Sequence, residues 1–494
     1  MLRPTRVNLQ GGVCGSVQGG SCQAPCQPEL EADVAPEQEL EEDVEARGSD
    51  HASLYGAELR NLDFWDKVSY DDLVHRWVPT CGKVPGPLLH AVARFKGVLF
   101  DTLLQAKAQG DQVMEARCWK LLTFADRLLF GQSKAQSRAQ RRRGGRGKLQ
   151  ELVSARLRRA WRGDWSGLWA EAGEAGRIGK GMESGSGPSI EEDARTIDQF
   201  VADNLLTKAI ARARGALKLD FTAAAAEAVA ALFPPGATLS VGGGPPVDEE
   251  LRAKLVAAAE KSIRRFPRRS SPGPNGSRFE HWGCLAQDGL ALRRGAEVVV
   301  CFLLGELPEE ALRANLGARL VALRKPTGGV RPVAMGSVLR RLAARAACTV
   351  VKEKPSVAVG PNQYGVGRRA GCELVHKCVT ALTDEDPDRV VIAFDATNAF
   401  GSVPRQRVLD GTLARLPELA RTVGLWLGRP TKHVMWDNTG KAHLVTAEAG
   451  VDQGCPLSPL LFSLGLAEAL REIAVWAPSC SPTSTMSWWL CLPW

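Results

Sequence analysis

The sequence lacks any pair of cysteines at the spacing of a zinc or redox motif, because none of its 13 cysteines has another three residues further on. Cys14, Cys22 and Cys26 lie near one another but have no fourth ligand at zinc-site spacing. The count is also odd, which is not typical of a disulfide framework. The sequence therefore predicts buried, reduced thiols in a reducing compartment.

Long apolar runs are also missing. No stretch of about eighteen apolar residues occurs, and the N-terminus has no apolar segment of the secretory kind. This absence predicts an intracellular chain with no membrane partner. The 494 residues are 44% apolar and 24% charged, which is typical of a globular protein of two to four domains.

Charge is distributed unevenly around a net value of +8. Residues 28–50 carry ten acidic residues against one arginine, and residues 134–162 carry eleven lysines or arginines against Glu151 alone. The acidic segment has few large apolar residues, so residues 1–50 are predicted to be disordered. The second segment contains a basic tract of the kind that binds polyanions, or alternatively forms a solvated loop. Its candidate nucleic-acid-binding residues are Arg141, Arg142, Arg143, Arg146 and Lys148.

The apolar spacing predicts a helical, basic region over residues 51–187, as in the run from Leu88 to Gln109. A Gly/Ser-rich linker follows, and residues 188–269 read as a further helical lead-in. Beyond residue 270, short Pro/Gly-rich clusters alternate with predicted strands and helices. The chemistry is therefore expected in this later part of the chain.

One cluster reads "KPTGGVRP", from Lys325 to Pro332. The Gly-Gly pair predicts a β-hairpin with glycines at its tip, and the hairpin brings Lys325 and Arg331 close together. Two cations beside backbone N–H groups can hold a triphosphate, although a charged hairpin on a solvated face is the alternative. The helix that follows is expected to carry Arg340, Arg341 and Arg345 on its surface.

The segment "RVVIAFDATNAF" contains a continuous apolar run from Val390 to Phe394, which predicts a strand buried on both faces. The strand delivers Asp395 at its end, where a divalent metal such as Mg²⁺ would compensate the carboxylate charge. Capping of the next helix is the alternative role for this aspartate.

A third cluster, "DQGCPLSPLLF", begins at Asp452 and predicts a turn-rich loop followed by a helix with a broad apolar face. Such a loop lets the backbone and Gln453 approach a flat ligand such as a nucleotide.

Five clusters occur in order: "SPGPNG", "KPTGGVRP", "PNQYGVG", "FDATNAFGSV" and "DQGCPLSPLLF". Their order and spacing resemble the reverse transcriptase domain of non-LTR retrotransposons, over residues 215–473. The resemblance implies an α+β fold with right-hand polymerase fingers (270–380) and a partial ferredoxin-like palm (381–474), preceded by the mainly helical region. It also implies two Mg²⁺ ions, an RNA template, a DNA primer and deoxynucleoside triphosphates.

The same resemblance assigns roles to single residues. Asp395 becomes the first metal-binding carboxylate, assisted by the Ala396 carbonyl, and Phe400 aligns with the aromatic gate against the ribose 2′-OH. Lys325 and Arg331 match the residues that hold the triphosphate.

Four further residues match family positions: Gln453 and Gly454 lie against nucleotide and template, and Gln363 and Gly365 support the palm. Asn275 stands where the family usually has Asp, which affects a structural turn. Gly401 replaces a polar residue, with no consequence that we can assign.

The last segment, residues 475–494, is expected to be out of frame. The family needs a Tyr-x-Asp-Asp hairpin about thirty residues after the Gln-Gly loop, yet no Asp follows Asp452. Read one base out of step, the codons from Pro482 to Trp489 are compatible with Tyr-Leu-Asp-Asp-Val-Val-Val. The thumb is then absent, and the chain as written is expected to be inactive because one carboxylate cannot hold two metals.

Two other functions remain open from the sequence. One is an intron-encoded reverse transcriptase relative, and the other is a non-catalytic nucleic-acid-binding remnant that keeps the fold without the chemistry.

Overall fold

The structure is a computed structural model. It describes residues 2–6, 56–75, 77–132, 145–175, 190–202, 204–213, 219–242, 244–325, 328–360, 363–386, 388 and 391–476. The chain divides into two compact units, one formed by residues 1–50 with 373–397 and the other by residues 51–372 with 398–494.

The first unit contains a two-stranded antiparallel sheet. Strand β1 (Leu2–Arg6) pairs with strand β5 (Ile392–Ala396), with Arg3 opposite Asp395. The helix Gly371–Glu385 precedes β5 along the chain and lies mostly in this unit.

The N-terminal part of the second unit is helical, as predicted. The helix Leu89–Gln109 ends at Gly110, whose φ of 72° allows the left-handed cap, and Asp111 then caps the next helix by accepting a hydrogen bond from Met114 N at 2.9 Å. The helices of this part are Asp72–His75, Leu89–Gln109, Gln112–Phe130, Gly145–Trp161, Trp165–Ala175, Ile190–Ala202, Leu206–Ala213, Ala223–Ala230 and Glu249–Arg264, with 3₁₀ turns at Leu62–Lys67 and Gly86–Leu88.

The remainder of this unit alternates helices with strands. The Asp288 side chain caps the central buried helix by accepting from Ala291 N at 2.9 Å. The helices are Phe279–Gly283, Gly289–Leu304, Glu309–Leu316, Val338–Val350, Pro355–Ala358, Ala399–Ser402, Arg405–Arg415, Pro417–Leu427 and Ser458–Trp476, with a 3₁₀ turn at Cys284–Gln287.

The sheet of the second unit has five strands: β2 (Leu219–Asp220), β3 (Ala318–Arg324), β4 (Val330–Gly336), β6 (Thr431–Trp436) and β7 (Ala442–Ala447). Strand β3 forms an antiparallel hairpin with β4 along its whole length. β3 also pairs with β2 near its C-terminal end and with β6, in parallel, at Arg319 opposite Val434. Strands β6 and β7 form a second antiparallel hairpin. The sheet is therefore two hairpins joined by one short parallel contact, with β2 paired to the C-terminal end of β3.

One hydrophobic core extends from the N-terminal helices to the helix Ser458–Trp476. Inside it, Lys96 and Asp126 form a buried ion pair at 2.7 Å, and the Ser277 hydroxyl donates to the same aspartate. Thr80 Oγ1 donates to the Gly276 carbonyl at 2.6 Å. The N-terminal helices thereby fix the loop that contains the "SPGPNG" cluster.

The prediction of a mixed α+β fold with a helical N-terminal region is confirmed, whereas the assignment of fingers, palm and thumb and the domain boundaries stay predictions. The predicted strand 390–394 begins two residues later, at Ile392, and Val391 before it is exposed. A continuous run of apolar residues does not show at which residue strand pairing begins. That residue depends on the partner strand.

Four of the described cysteines, Cys81, Cys118, Cys284 and Cys301, are buried free thiols as predicted, and burial raises the pKa of the Cys118 thiol to about 12. Cys372 differs from the prediction because it is disulfide-bonded. No helix within those ranges is long and apolar enough to cross a membrane.

Candidate nucleotide and nucleic-acid site

The hairpin β3–β4 has the glycine tip that the sequence predicts. Gly328 and Gly329 have φ values of 88° and 79°, and Lys325 N donates to Gly329 O at 3.0 Å. A residue with a Cβ is strained at such angles, so glycine is required by the backbone. Lys325 follows the last residue of β3, and Arg331 lies opposite Leu323. Both cationic side chains are exposed.

The loop between β7 and the helix Ser458–Trp476 lies directly against this hairpin. Ala334 N, on β4, donates to Gln453 O at 2.7 Å. Gly454 has a φ of 119°, and a Cβ on it would lie 2.6 Å from Ala334 O. Only glycine permits this approach, because that distance is far below van der Waals contact. The loop and the hairpin, predicted separately, therefore form one surface.

Phe400 is joined to the same loop. Val451 N donates to Phe400 O at 2.8 Å, and a Cβ on Gly450 would lie 2.4 Å from Gly401 O. The half-buried Phe400 ring stacks on Phe462, with ring centroids 4.9 Å apart. This stacking is expected both for an aromatic gate against the ribose 2′-OH and for a core residue, so it does not distinguish the two roles of Phe400.

Sequence reasoning missed a buried ionic network under this loop. Asp452 accepts from Arg340 Nη2 at 2.7 Å and lies 3.0 Å from His433 Nε2, while His433 Nδ1 accepts from Ala318 N at 3.0 Å. Burial raises the pKa of Asp452, but attraction to His433 and Arg340 outweighs burial and holds that pKa below its ordinary range. The sequence contained one signal for this network: Asp452 is the charged residue directly before Gln-Gly in an otherwise uncharged loop.

The expectation that Arg340, Arg341 and Arg345 lie on the helix surface is wrong for Arg340 and Arg341. Arg340 and Arg341 are 5% and 8% exposed, and Arg345 is half-buried. Arg340 also donates to Leu316 O at 2.7 Å, and Arg345 Nη2 donates to Arg265 O at 2.8 Å. The residues that accept from these arginines are distant in sequence, so helical periodicity alone could not place the arginines inside.

Asp395 and Ala396 are the last two residues of β5, in the first unit, whereas the other predicted site residues that the structure describes lie in the second. Within the described ranges, no group of three or more His, Cys, Asp or Glu side chains is arranged to hold a metal ion. The carboxylate of the loop itself, Asp452, is already paired with Arg340 and His433. These residues therefore do not by themselves fit a two-ion Mg²⁺ site.

Among the remaining predicted residues, Gln363 is fully buried and its Oε1 accepts from Gly365 N at 2.6 Å, so the two residues form one turn. Asn275 is buried, and its Oδ1 accepts from Ser277 N at 3.2 Å. Within the basic tract, Arg146 and Lys148 lie on the helix Gly145–Trp161 and Lys148 is exposed. Arg141, Arg142 and Arg143 lie outside the described residues.

Comparison with known proteins gives two matches. Residues 323–483 match the family described as reverse transcriptase (RNA-dependent DNA polymerase). Over 253 residues, 51% of the chain, the sequence is 28% identical to the retrotransposable element SLACS 132 kDa protein of Trypanosoma brucei gambiense. The match covers 20% of that relative, so the chain spans about a fifth of its length.

These matches confirm the resemblance found in the sequence: residues 323–483 are similar to reverse transcriptases, and half of the chain is similar to a retrotransposable element protein. The matched residues include the hairpin tip, Asp395, Phe400 and Gln453. They end at Thr483, inside the segment expected to be out of frame and beyond the last described residue, Trp476. The frame of that segment therefore stays a prediction.

Proposed function

We propose that this domain is the nucleotide-adding part of an RNA-directed DNA polymerase, taking an RNA template, a DNA primer and deoxynucleoside triphosphates. The contact between β4 and the Gln453–Gly454 loop carries the proposal. It joins the cationic hairpin to the loop expected to face the nucleotide. A reverse transcriptase domain in residues 323–483 supports the same function.

The hairpin tip suits a triphosphate. Lys325 and Arg331 are exposed, and neither forms an ion pair within the described part of the chain. Nearby, Arg324 differs, because Asp220 holds its Nε at 2.9 Å. An unpaired cation retains its full attraction for phosphate oxygens, and the planar Arg331 fork adds bidentate contacts.

Divalent metal binding is the less complete part of the proposal. Asp395 and the Ala396 carbonyl are the residues that we assign to the metal, and they supply one carboxylate. The family requires further carboxylates, which none of the described residues supplies in a suitable group. We therefore assign no catalytic step to a metal here, and we propose that the chain as written does not extend a primer.

Nucleotide binding can be tested on the full chain as it exists. A fluorescent dATP analogue would be titrated against the parent and the variants Lys325→Gln and Arg331→Gln. We expect each variant to bind about tenfold more weakly, because each loses a charge-assisted contact to phosphate. Lys441→Gln is the matched control, since Lys441 is an exposed lysine at the turn of the other hairpin. Equal weakening in all three variants would contradict the assignment.

Polymerase activity needs a second protein, with the frame of residues 475–494 restored to give Tyr-x-Asp-Asp. We expect this protein to extend a DNA primer on RNA and its Asp395→Asn variant not to, because the amide cannot replace a metal-binding carboxylate. Equal extension by the two proteins removes Asp395 from the site. RNA binding without extension by either would favour the non-catalytic remnant.

The same restored protein tests the gate. Phe400→Val leaves space beside the ribose, so we expect ribonucleotide incorporation relative to deoxynucleotide to rise. No rise would make Phe400 a core residue that stacks on Phe462.

The basic tract is proposed to hold template phosphates. Replacing Arg141, Arg142, Arg143, Arg146 and Lys148 together by glutamine should flatten the dependence of RNA affinity on salt, because fewer counterions are released. An unchanged slope would indicate a solvated loop.

A further inference from the structure

A second group of cations surrounds the loop Pro272–Gly276, away from the residues assigned above. Arg319 Nε donates to Pro272 O at 3.1 Å, and Arg341 Nη1 donates to Ser270 Oγ at 3.4 Å. Arg278 Nε donates to Thr80 Oγ1 at 3.3 Å, and the same hydroxyl donates to Gly276 O. Arg278, Arg319 and Arg341 are called the arginine cluster below.

The arginine cluster has no paired carboxylate. None of its three guanidinium groups forms an ion pair within the described residues, although buried arginines elsewhere do, as Arg340 does with Asp452. The one acidic neighbour among the described residues is Glu280, which attracts Arg278 and Arg341 and whose Oε1 accepts from Arg269 N at 2.6 Å. One carboxylate faces three guanidinium groups, so the cluster keeps a net positive charge.

Two N–H groups of the cluster also lack an acceptor within the described residues. Arg341 is buried, and its Nε and Nη2 have no hydrogen-bond partner there. Arg278 is half-buried, and its guanidinium donates one hydrogen bond, from Nε to Thr80 Oγ1. Unsatisfied charged donors are costly, so the arrangement favours an anion that would accept from them.

Electrostatics agrees with this geometry. Burial lowers the pKa of Arg319 to about 9, and repulsion from Arg278 and then Arg341 contributes further. Burial lowers the pKa of Arg341 to about 10; attraction to Glu280 opposes burial, and the smaller repulsion from Arg278 adds to it. All three remain cationic near neutral pH, and their mutual repulsion would be relieved by a bound anion.

The position of the cluster indicates which anion. Cross-strand pairs share a face of the hairpin, so Arg331 opposite Leu323 and Arg319 opposite Met335 lie on the same face of β3–β4. Leu323 lies four positions after Arg319 on β3, which is roughly 13 Å along a strand. A nucleic-acid strand that passes the nucleotide held by Arg331 would reach Arg319 within a few phosphates. A free triphosphate held at the hairpin tip would not.

We propose that Arg278 and Arg319, supported by the charge of Arg341, form a binding site for backbone phosphate of a single-stranded RNA template. The inference rests on the proposed function only for the identity of the ligand as an RNA template. It adds a template contact to the fingers that is separate from the basic tract and from the hairpin tip.

The test measures binding of a fluorescein-labelled single-stranded RNA 20-mer to the full chain by anisotropy, over a series of KCl concentrations. The variants are Arg278→Gln and Arg319→Gln. We expect each to bind about tenfold more weakly at low salt and to reduce the slope of log affinity against log salt by about 0.7, the value for one phosphate contact to a single strand. Arg278→Lys keeps the charge and should retain most of the slope.

Arg293→Gln is the matched control, because Arg293 is an exposed helical arginine paired with Glu260 and Glu297. If Arg278→Gln and Arg319→Gln match this control, the inference is overturned. The same holds if they weaken binding of a dATP analogue but not of RNA, since the site would then take a triphosphate. Circular dichroism shows whether Arg319→Gln is misfolded. If it is, the RNA affinity of Arg278→Gln is the test, because this variant loses only one side-chain hydrogen bond, to a hydroxyl.

The result is independent of polymerase activity. Loss of RNA affinity in the variants supports the site even if the restored protein extends no primer. Normal RNA affinity in the variants overturns the site even if the restored protein is active.

Discussion

The two hairpins of the sheet differ in how their turns are held. In β6–β7, the Asp437 side chain accepts from Thr439 N, Thr439 Oγ1 and Lys441 N at 2.6–3.0 Å and lies 2.8 Å from His443 Nε2. In β3–β4, backbone hydrogen bonds join Lys325 to the two glycines, and the described residues of that turn supply no carboxylate to it. One turn is fixed by a buried carboxylate, and the other has exposed cations that we propose bind a ligand.

The comparison suggests a division of roles, in which β6–β7 contributes stability and β3–β4 has the proposed binding function. Asp437 is 3% exposed, whereas Lys325 and Arg331 are exposed. Substitutions in and between the hairpins should therefore differ in their effect on the free energy of unfolding.

The largest effect is expected where the hairpins are joined. Asp452→Ala removes the partner of Arg340 and of His433 on β6, and leaves a buried guanidinium without its carboxylate. We expect a loss of about 3–5 kcal/mol in the free energy of unfolding, measured by urea denaturation with tryptophan fluorescence. The double variant Asp452→Ala with Arg340→Met should recover part of this loss. No recovery would show that the cost is not the unpaired charge.

A smaller effect is expected at the fixed turn. Asp437→Ala removes the acceptor of three hydrogen bonds, and we expect a loss of about 1–3 kcal/mol in the same measurement. Asp437→Asn is the control, because its amide oxygen can still accept from the backbone. If Asp437→Ala and the parent have the same free energy of unfolding, the Asp437 hydrogen bonds do not stabilise the β6–β7 turn.

The Asp437 charge also predicts a dependence on pH. Burial raises its pKa, but hydrogen bonds from His443, Thr439 and Lys441 outweigh burial and lower the pKa to about 2. The unfolded chain has a pKa near 3.9, so this stabilisation is complete above about pH 4 and is lost as pH falls toward 2. The difference in stability between the parent and Asp437→Asn should narrow over that range. If the difference in stability between the parent and Asp437→Asn does not change with pH, the charge of Asp437 does not stabilise the fold.

A still smaller effect is expected at the glycine tip. Gly329→Ala places a Cβ on a residue with a φ of 79°, where no other atom lies within 4 Å. The cost is then backbone strain alone, about 1 kcal/mol. Gly289→Ala is the control, since Gly289 also has open space but no positive φ. A cost as large as that of Asp437→Ala would erase the distinction between the turns.

The smallest effect on stability is expected from Lys325→Gln, within about 0.5 kcal/mol of the parent. Nucleotide binding should nevertheless fall in this variant, as stated above. A stability loss with unchanged nucleotide binding would reverse the roles of the two hairpins.

Sequence reasoning was most successful where structure is local. The Gly328–Gly329 tip follows from backbone angles that only glycine adopts readily, and the helix Leu89–Gln109 follows from apolar spacing. It failed for Arg340 because the carboxylate that holds it, Asp452, is 112 residues away in the chain. It also placed the strand before Asp395 two residues too early, because pairing with Leu2–Arg6 leaves no local trace.

The candidate site was predicted in part. Lys325, Arg331, Gln453 and Gly454 follow from motif resemblance, and the contact between Ala334 and Gln453 brings hairpin and loop together. The Asp452 network and the arginine cluster were not predicted, because both depend on charges that only tertiary packing brings together. Resemblance identifies residues shared with a family, and physical contacts are needed for the others.

Gly450 and Gly454 restrict which mutations the gene can tolerate. Each has a positive φ and a backbone oxygen within 2.6 Å of where a Cβ would be. Every missense change of one base in a glycine codon produces a residue with a Cβ, so no such mutation at either codon is neutral for this loop. Copies of the gene that still make a folded domain should retain both codons as glycine, with changes confined to the third base. Copies released from selection should lose them as readily as an exposed glycine without a positive φ, such as Gly289.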